Sequence, residues 1–193
     1  MRRLLASALV ASCAGTARAP SAPTPAALPI RCPRDRSPLI SDQDDVTRFA
    51  GCNSFAALTI RTGAVIDLSP LEVTDVLGDL TIGPSVALDT ISLPALRRVG
   101  GALVVVSNGS LRTLALPRLE HAHRIAIEAN SALEVIDLRG LEAVDGELAI
   151  AANPELVRVD ITALARAKSA RIEGNSRLDD DRVDVLRTKT VAP

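Results

Sequence analysis

Apolar positions recur along residues 80–178 in five units that share one grammar. The units open at Leu80, Leu103, Ile125, Leu148 and Ala170, in steps of 23, 22, 23 and 22 residues. Two positions later stand Ile82, Val105, Ile127, Ile150 and Ile172. Three further on come Ser85, Asn108, Asn130, Asn153 and Asn175, and three beyond those Leu88, Leu111, Leu133, Leu156 and Leu178. The later apolar positions repeat too: Ile91, Leu93, Leu96 and Val99, then Leu114, Leu116, Leu119 and Ala122. Ile136, Leu138, Leu141 and Val144 follow, and last Val159, Ile161, Leu164 and Ala167. Self-similarity at this period marks a solenoid, in which each unit buries its apolar face on its neighbour. An incomplete first unit precedes these at Leu58-Thr59-Ile60, with Gly63 at the Asn position and Ile66 at the Leu position.

Apolar spacing of two within L-x-I and again within I-x-L predicts two short strands per coil with alternate residues inward. Gly78, Pro94, Gly100, Gly101, Pro117, Gly140 and Gly146 fall between them and read as turns. The predicted fold is an all-β repeat solenoid, a parallel β-helix of leucine-rich-repeat-like coils, nearly six of them at 22–23 residues each. The Asn column reads as structural. Its side chains can bond to backbone groups at a corner and tolerate tight turns, so a stack of them would satisfy buried polar groups along the axis. Asn108-Gly109-Ser110 also spells a glycosylation sequon, which an inward-facing Asn would make inaccessible.

Composition fits this picture. The chain has two Phe and no Trp or Tyr among 193 residues. Stacked coils can fill a core with Leu, Ile, Val and Ala, whereas irregular cores rely on aromatics. Charge is uneven. Residues 1–40 carry six Arg and one Asp; the remainder carries 16 basic and 22 acidic groups. An acidic body without aromatic platforms argues against nucleic-acid binding.

The N-terminus departs from the repeat. Arg2 and Arg3 precede a short apolar run, Leu4 to Val10, far below the roughly 18 residues that a membrane-spanning helix needs. This is a signal peptide in outline. Its end, Val10-Ala11-Ser12-Cys13, resembles the bacterial lipobox, in which the cysteine is lipidated and becomes the mature N-terminus. The resemblance implies attachment to a membrane of the bacterial envelope through Cys13. Ala14 stands where an Asp is associated with inner-membrane retention, which points to the outer membrane. Ala17-Arg18-Ala19 is a competing site for ordinary cleavage and would give a secreted form, but Pro20 would follow that cut. Residues 13–45 read as a tether. Pro20, Pro23, Pro25, Pro29, Pro33 and Pro38 are half of the chain's prolines, and such a stretch stays extended. Cys32 and Cys52 remain, and two cysteines in an exported protein suggest one disulfide, pinning the tether to the first coil. A metal site or a reactive thiol has no supporting spacing.

The pattern L-x-I-x-x-N-x-x-L, the coil length and the opening Cys52-x(5)-Leu58-x-Ile60 resemble the receptor L-domain family. That leucine-rich-repeat-like β-helix occurs in insulin and epidermal growth factor receptors and in bacterial lipoproteins. The likeness covers roughly residues 50–178. It implies a right-handed solenoid that binds protein or peptide, and it brings no catalytic residues and no cofactor.

Chemistry outside the repeat is sparse. His121 and His123 share a face if they lie in a strand, but read better as solvated turn residues than as metal ligands. Gly83-Pro84-Ser85-Val86-Ala87 faintly echoes a nucleophile elbow without the strand–turn–helix context that elbow needs. Asp137 and Asp160 occupy one coil position a rung apart and are the strongest candidate for paired-carboxylate chemistry on a polysaccharide. Asp179-Asp180-Asp181 ahead of Val183, Val185 and Leu186 reads as the start of a short capping helix over 179–187 rather than a calcium loop.

The expected organisation is a lipoprotein signal over 1–12, the lipid-anchored tether over 13–45, the solenoid over 46–178, and a C-terminal cap and tail over 179–193. The expected function is non-catalytic. It is a lipid-held solenoid offering a sheet to a protein, peptide or glycan partner through Thr81, Val104, Ala126, Ala149, Arg171, Gly83, Val106, Glu128, Ala151 and Glu173. Val104 and Val106 are candidates for self-association. A structural spacer or assembly subunit, and a polysaccharide-active enzyme, are the alternatives.

Overall fold

The computed structural model describes Cys32 and residues 37–179. Cys13, the expected signal over 1–12, most of the expected tether over 13–45 and all but the first residue of the helix expected over 179–187 lie outside these residues. The described chain is a β-solenoid of about six turns, built from parallel strands with a single short helix. Its strands are β1 (Leu39–Ile40), β2 (Ser54–Phe55), β3 (Leu58–Ile60), β4 (Asp75–Val76), β5 (Leu80–Ile82), β6 (Thr90–Ser92) and β7 (Arg98–Val106). They continue as β8 (Thr113–Ala115), β9 (His121–Glu128), β10 (Val135–Asp137), β11 (Ala143–Ala151), β12 (Arg158–Asp160) and β13 (Arg166–Glu173). The helix α1 spans Gln43–Phe49.

One sheet runs β1-β3-β5-β7-β9-β11-β13, with β2 on β4 and β4 on β7; a second runs β6-β8-β10-β12. The L-x-I steps fall in register coil on coil, so Leu58, Leu80, Leu103, Ile125, Leu148 and Ala170 form one inward column. The I-x-L steps hold the second sheet, with Ile91, Leu114, Ile136 and Val159 in register. All four of those side chains are buried, as are the Leu columns that follow the corners.

Two strands per coil is one fewer than the structure shows. The end of each coil pairs separately: Val76 on Val99, Val99 on Ala122, Ala122 on Val144. In the early coils this edge is its own strand, β4; later it runs into the next coil's strand through a bulge, making β7, β9 and β11 long and bent. Gly100, Gly101 and Gly146 therefore lie inside strands, not in turns. A Cβ on Gly100 would stand 2.1 Å from the Leu77 carbonyl oxygen, so the close approach of backbones at the bulge requires glycine.

The N-terminal end is closed by a cap that starts before residue 46, the expected boundary. Ile40 of β1 pairs with Ile60, and α1 lies beside that strand. Asp42 caps the helix, accepting from the Asp45 N–H at 2.9 Å. Gln43 turns its carboxamide to the open edge of the first coil. Its Oε1 accepts from the Asp67 N–H at 2.8 Å and its Nε2 donates to the Asp67 carbonyl at 3.2 Å. The side chain thus does what a neighbouring strand would do. Both phenylalanines sit here, Phe49 edge-on to Phe55 with centroids 6.0 Å apart. Helix-to-coil packing is the irregular junction of the molecule, and it is where aromatics are spent. A disulfide joins Cys32 to the buried Cys52 across 20 residues.

Candidate interaction surface

The inner corner is a ladder with no room for a ligand. Asn108, Asn130, Asn153 and Asn175 are all buried. Each reaches to the coil before it. The Nδ2 atoms of Asn130, Asn153 and Asn175 donate to the carbonyls of Val105, Ile127 and Ile150 at 3.0, 2.9 and 2.8 Å. Their Oδ1 atoms accept both the backbone N–H and the Nδ2–H of the preceding Asn, at 2.9 to 3.2 Å. The tight turn belongs to the residue before each Asn. Ser107, Ala129, Ala152 and Gly174 have φ of 56°, 55°, 54° and 66°.

The ladder ends at Ser85, whose hydroxyl donates to the Thr62 carbonyl at 2.7 Å. It offers no amide to Asn108, and Asn108 Oδ1 is left without a partner. In the first coil the buried corner residue is Thr62 and not Gly63, which is exposed. Ser85 is a ladder residue in a buried place, not a nucleophile at a strand–helix elbow.

The outer face of the larger sheet carries the row Leu39, Thr59, Thr81, Val104, Ala126, Ala149 and Arg171, each in register with the next. Beside it run Val106, Glu128, Ala151 and Glu173. These positions do not form one open surface. Ala126, Ala149 and Ala151 are buried although they point outward, and Gly83 is buried as well. Gly83 lies against the Val106 carbonyl and Asn108, whereas over Ala149 and Ala151 the cover comes from Arg171. Its Nη2 reaches Glu128 Oε1 at 2.6 Å, two coils away, while Nη1 holds Glu173 at 2.8 Å and Nε lies 3.5 Å from Glu147. Spanning from the fifth repeat to the third, the side chain crosses the coil that carries Ala149 and Ala151. Arg124 adds a bond to Glu147 at 3.0 Å. The last coils of the face are therefore sealed by the protein's own ion pairs. In the first ones Leu39, Thr59, Thr81, Val104 and Val106 are uncharged, with exposed Arg61 at the next outward position after Thr59.

Val104 and Val106 are half-buried. Among the described residues the exposed large apolar side chains are Leu39, Val65, Leu77, Val86 and Val157, and of these Leu39 belongs to the row. A further shallow groove follows the turns along Pro94, Ala95, Pro117, Arg118 and Arg139.

Asp137 and Asp160 do pair in register on the second sheet. Each has an arginine partner. Arg139 Nε donates to Asp137 Oδ1 at 2.9 Å, and Arg158 lies 3.6 Å from Asp160. The hydrogen bonds from Arg139 hold the Asp137 carboxyl below the usual carboxylate range. A glycosidic general acid needs the opposite shift, whereas the nucleophile or general base of such a pair works ionised. His121 and His123 lie in β9, not in a turn, and His121 stands in register with Arg98 and Ala143. Among the described residues no group of three or more His, Cys, Asp or Glu could hold a metal ion. No helix among them is long and apolar enough to cross a membrane.

No family model matches the chain, and no curated protein or solved structure matches it either.

Proposed function

We propose that this protein is a non-catalytic lipoprotein of the bacterial envelope, held through Cys13 and most naturally at the outer membrane. Its solenoid offers the first coils of the outer face to a protein, peptide or glycan partner. The observation that carries this reading is the division of that face. Ion pairs occupy its last coils, while Leu39, Thr59, Thr81, Val104 and Val106 form a partly exposed strip of uncharged side chains, flanked by exposed Arg61. The Cys32–Cys52 disulfide supports an oxidising compartment. The likeness of the coil pattern to receptor L-domains supports a binding role, and the paired state of Asp137 supports a role without catalysis.

Mass spectrometry of the mature protein tests the anchor: a lipid-modified N-terminal Cys13 is expected, and an unmodified chain starting at or after Pro20 overturns it. Pull-down from envelope extracts and a glycan array, run with wild type and a Thr81→Glu/Val104→Glu variant, test the face. The variant is expected to lose the captured partner. Equal capture by both moves the contact elsewhere. A spacer role is the second reading, favoured by the ion pairs that tie successive coils, Arg97–Glu120, Arg112–Glu134 and Arg177–Glu155. It predicts that deleting a coil disturbs function while the face variant does not.

A further inference from the structure

The ladder residue Asn108 is followed by Gly109, and the sequence thereby places a reactive pair at a buried corner. An asparagine followed by glycine is the pair most open to cyclic imide formation, because glycine has no Cβ to hinder approach of its nitrogen. The other ladder residues are followed by Ser131, Pro154 and Ser176. Serine hinders the approach, and proline has no amide proton to lose.

In the fold the reaction is blocked from every side. The Gly109 N–H donates to the Ser85 carbonyl at 3.0 Å. Asn108 Nδ2 donates to the Ile82 and Val106 carbonyls, both at 3.2 Å, and to Asn130 Oδ1 at 2.9 Å. Asn108 is fully buried, so neither base nor water reaches its amide. None of these restraints survives in the unfolded chain.

We propose that Asn108-Gly109 is an unfolding-gated modification site that makes a lapse of the fold irreversible. In the open chain the Gly109 nitrogen attacks Asn108 Cγ. The N–Cγ bond forms, the Cγ–Nδ2 bond breaks, and ammonia leaves, carrying the proton that Gly109 loses. Water then opens the cyclic imide at either carbonyl, giving aspartate or isoaspartate at position 108. No oxidant or reductant takes part. Neither product fits the ladder. A carboxylate has no proton for the Ile82 and Val106 carbonyls or for Asn130 Oδ1, and it sets a buried negative charge among three acceptor oxygens. Isoaspartate also lengthens the main chain between two residues fixed by neighbouring coils.

The test uses the full chain, held at mildly alkaline pH either in native buffer or unfolded in urea. Conversion at Asn108 is followed by peptide mass spectrometry and isoaspartate-specific methylation, and the refolded fraction after dilution by circular dichroism. Conversion is expected to be at least about 100-fold slower in native buffer, as for a site that reacts only when its structure opens. The refolded fraction should fall in step with conversion. Gly109→Ala is the protective variant. A Cβ there meets nothing within 4 Å and its φ is not in the left-handed region, so this chain should fold and keep its refolded fraction through the urea incubation. Asn108→Asp, which supplies one product directly, should fail to refold or melt well below wild type. Equal conversion rates in both buffers, equal loss of refolding in Gly109→Ala, or wild-type stability of Asn108→Asp would overturn the proposal.

Discussion

At the scale of single residues, the corner combines the strongest and the weakest local choices in the chain. Each Asn satisfies backbone groups of two coils, so truncation leaves buried donors and acceptors without partners. Asn130→Ala is expected to cost about 2–4 kcal/mol in urea denaturation. The residue before each Asn is left-handed, a region that costs a non-glycine residue about 1–2 kcal/mol. Gly174 meets that demand; Ala129 and Ala152 do not. Ala152→Gly should stabilise the protein by about 0.5–1 kcal/mol, the relief of strain exceeding the added entropy of the unfolded chain. A loss of stability would show that the methyl group contributes packing at this exposed corner. Carboxylates set the response to acid. Arg139 lowers the Asp137 carboxyl, and the backbone and hydroxyl of Ser41 lower that of Asp45. Folded values below the unfolded ones mean stability that is present above about pH 4 and lost as the pH falls through the folded values. Asp137→Asn should flatten the fall of the melting temperature below about pH 4 relative to wild type.

At the scale of elements, the coils were legible in the sequence and their edges were not. The L-x-I and I-x-L columns announce themselves because inward positions of stacked strands see identical surroundings and recur without variation. The third edge, Val76 to Val144, was written in the same columns, but glycines at 100, 101 and 146 read as breaks when they are sites of close backbone approach. The cap was hidden for the opposite reason. Gln43 acts on Asp67 from far along the chain, and no periodicity records a single pairing. On the outer face, alternation places Ala149 outward correctly, yet the strap that buries it starts at Arg171. Long side chains reach past the neighbouring rung, and sequence spacing carries no trace of their direction. The disulfide that holds the cap closes a loop of 20 residues. Removing it with Cys32→Ser/Cys52→Ser should cost on the order of 3 kcal/mol, read as a lower melting temperature that reductant no longer changes.

At the scale of the whole molecule, the array is close to one-dimensional, since each coil touches mainly the coils beside it. The middle is supported from both sides and the ends from one. Hydrogen exchange should therefore be slowest for the amides of Ile125 to Ile127 and Leu148 to Ile150. It should be fastest in the first coil once the disulfide is gone. Leu133→Ala, fully buried in the middle, should cost about 2–5 kcal/mol and let the two halves exchange at different rates. Uniform exchange across all coils would mean that the molecule opens only as a unit.

The ladder bond between Asn108 and Asn130 is the same bond as that between Asn153 and Asn175. A coil inserted anywhere between them would meet both of its neighbours on familiar terms, and the molecule would lengthen by roughly 4.8 Å. An insertion before Asn108 meets Ser85 and the cap instead. Length is thus an adjustable dimension of this chain, open to change by duplication on one side and stopped on the other. The distance between the disulfide-closed cap and the far coil can be altered in steps without any new chemistry.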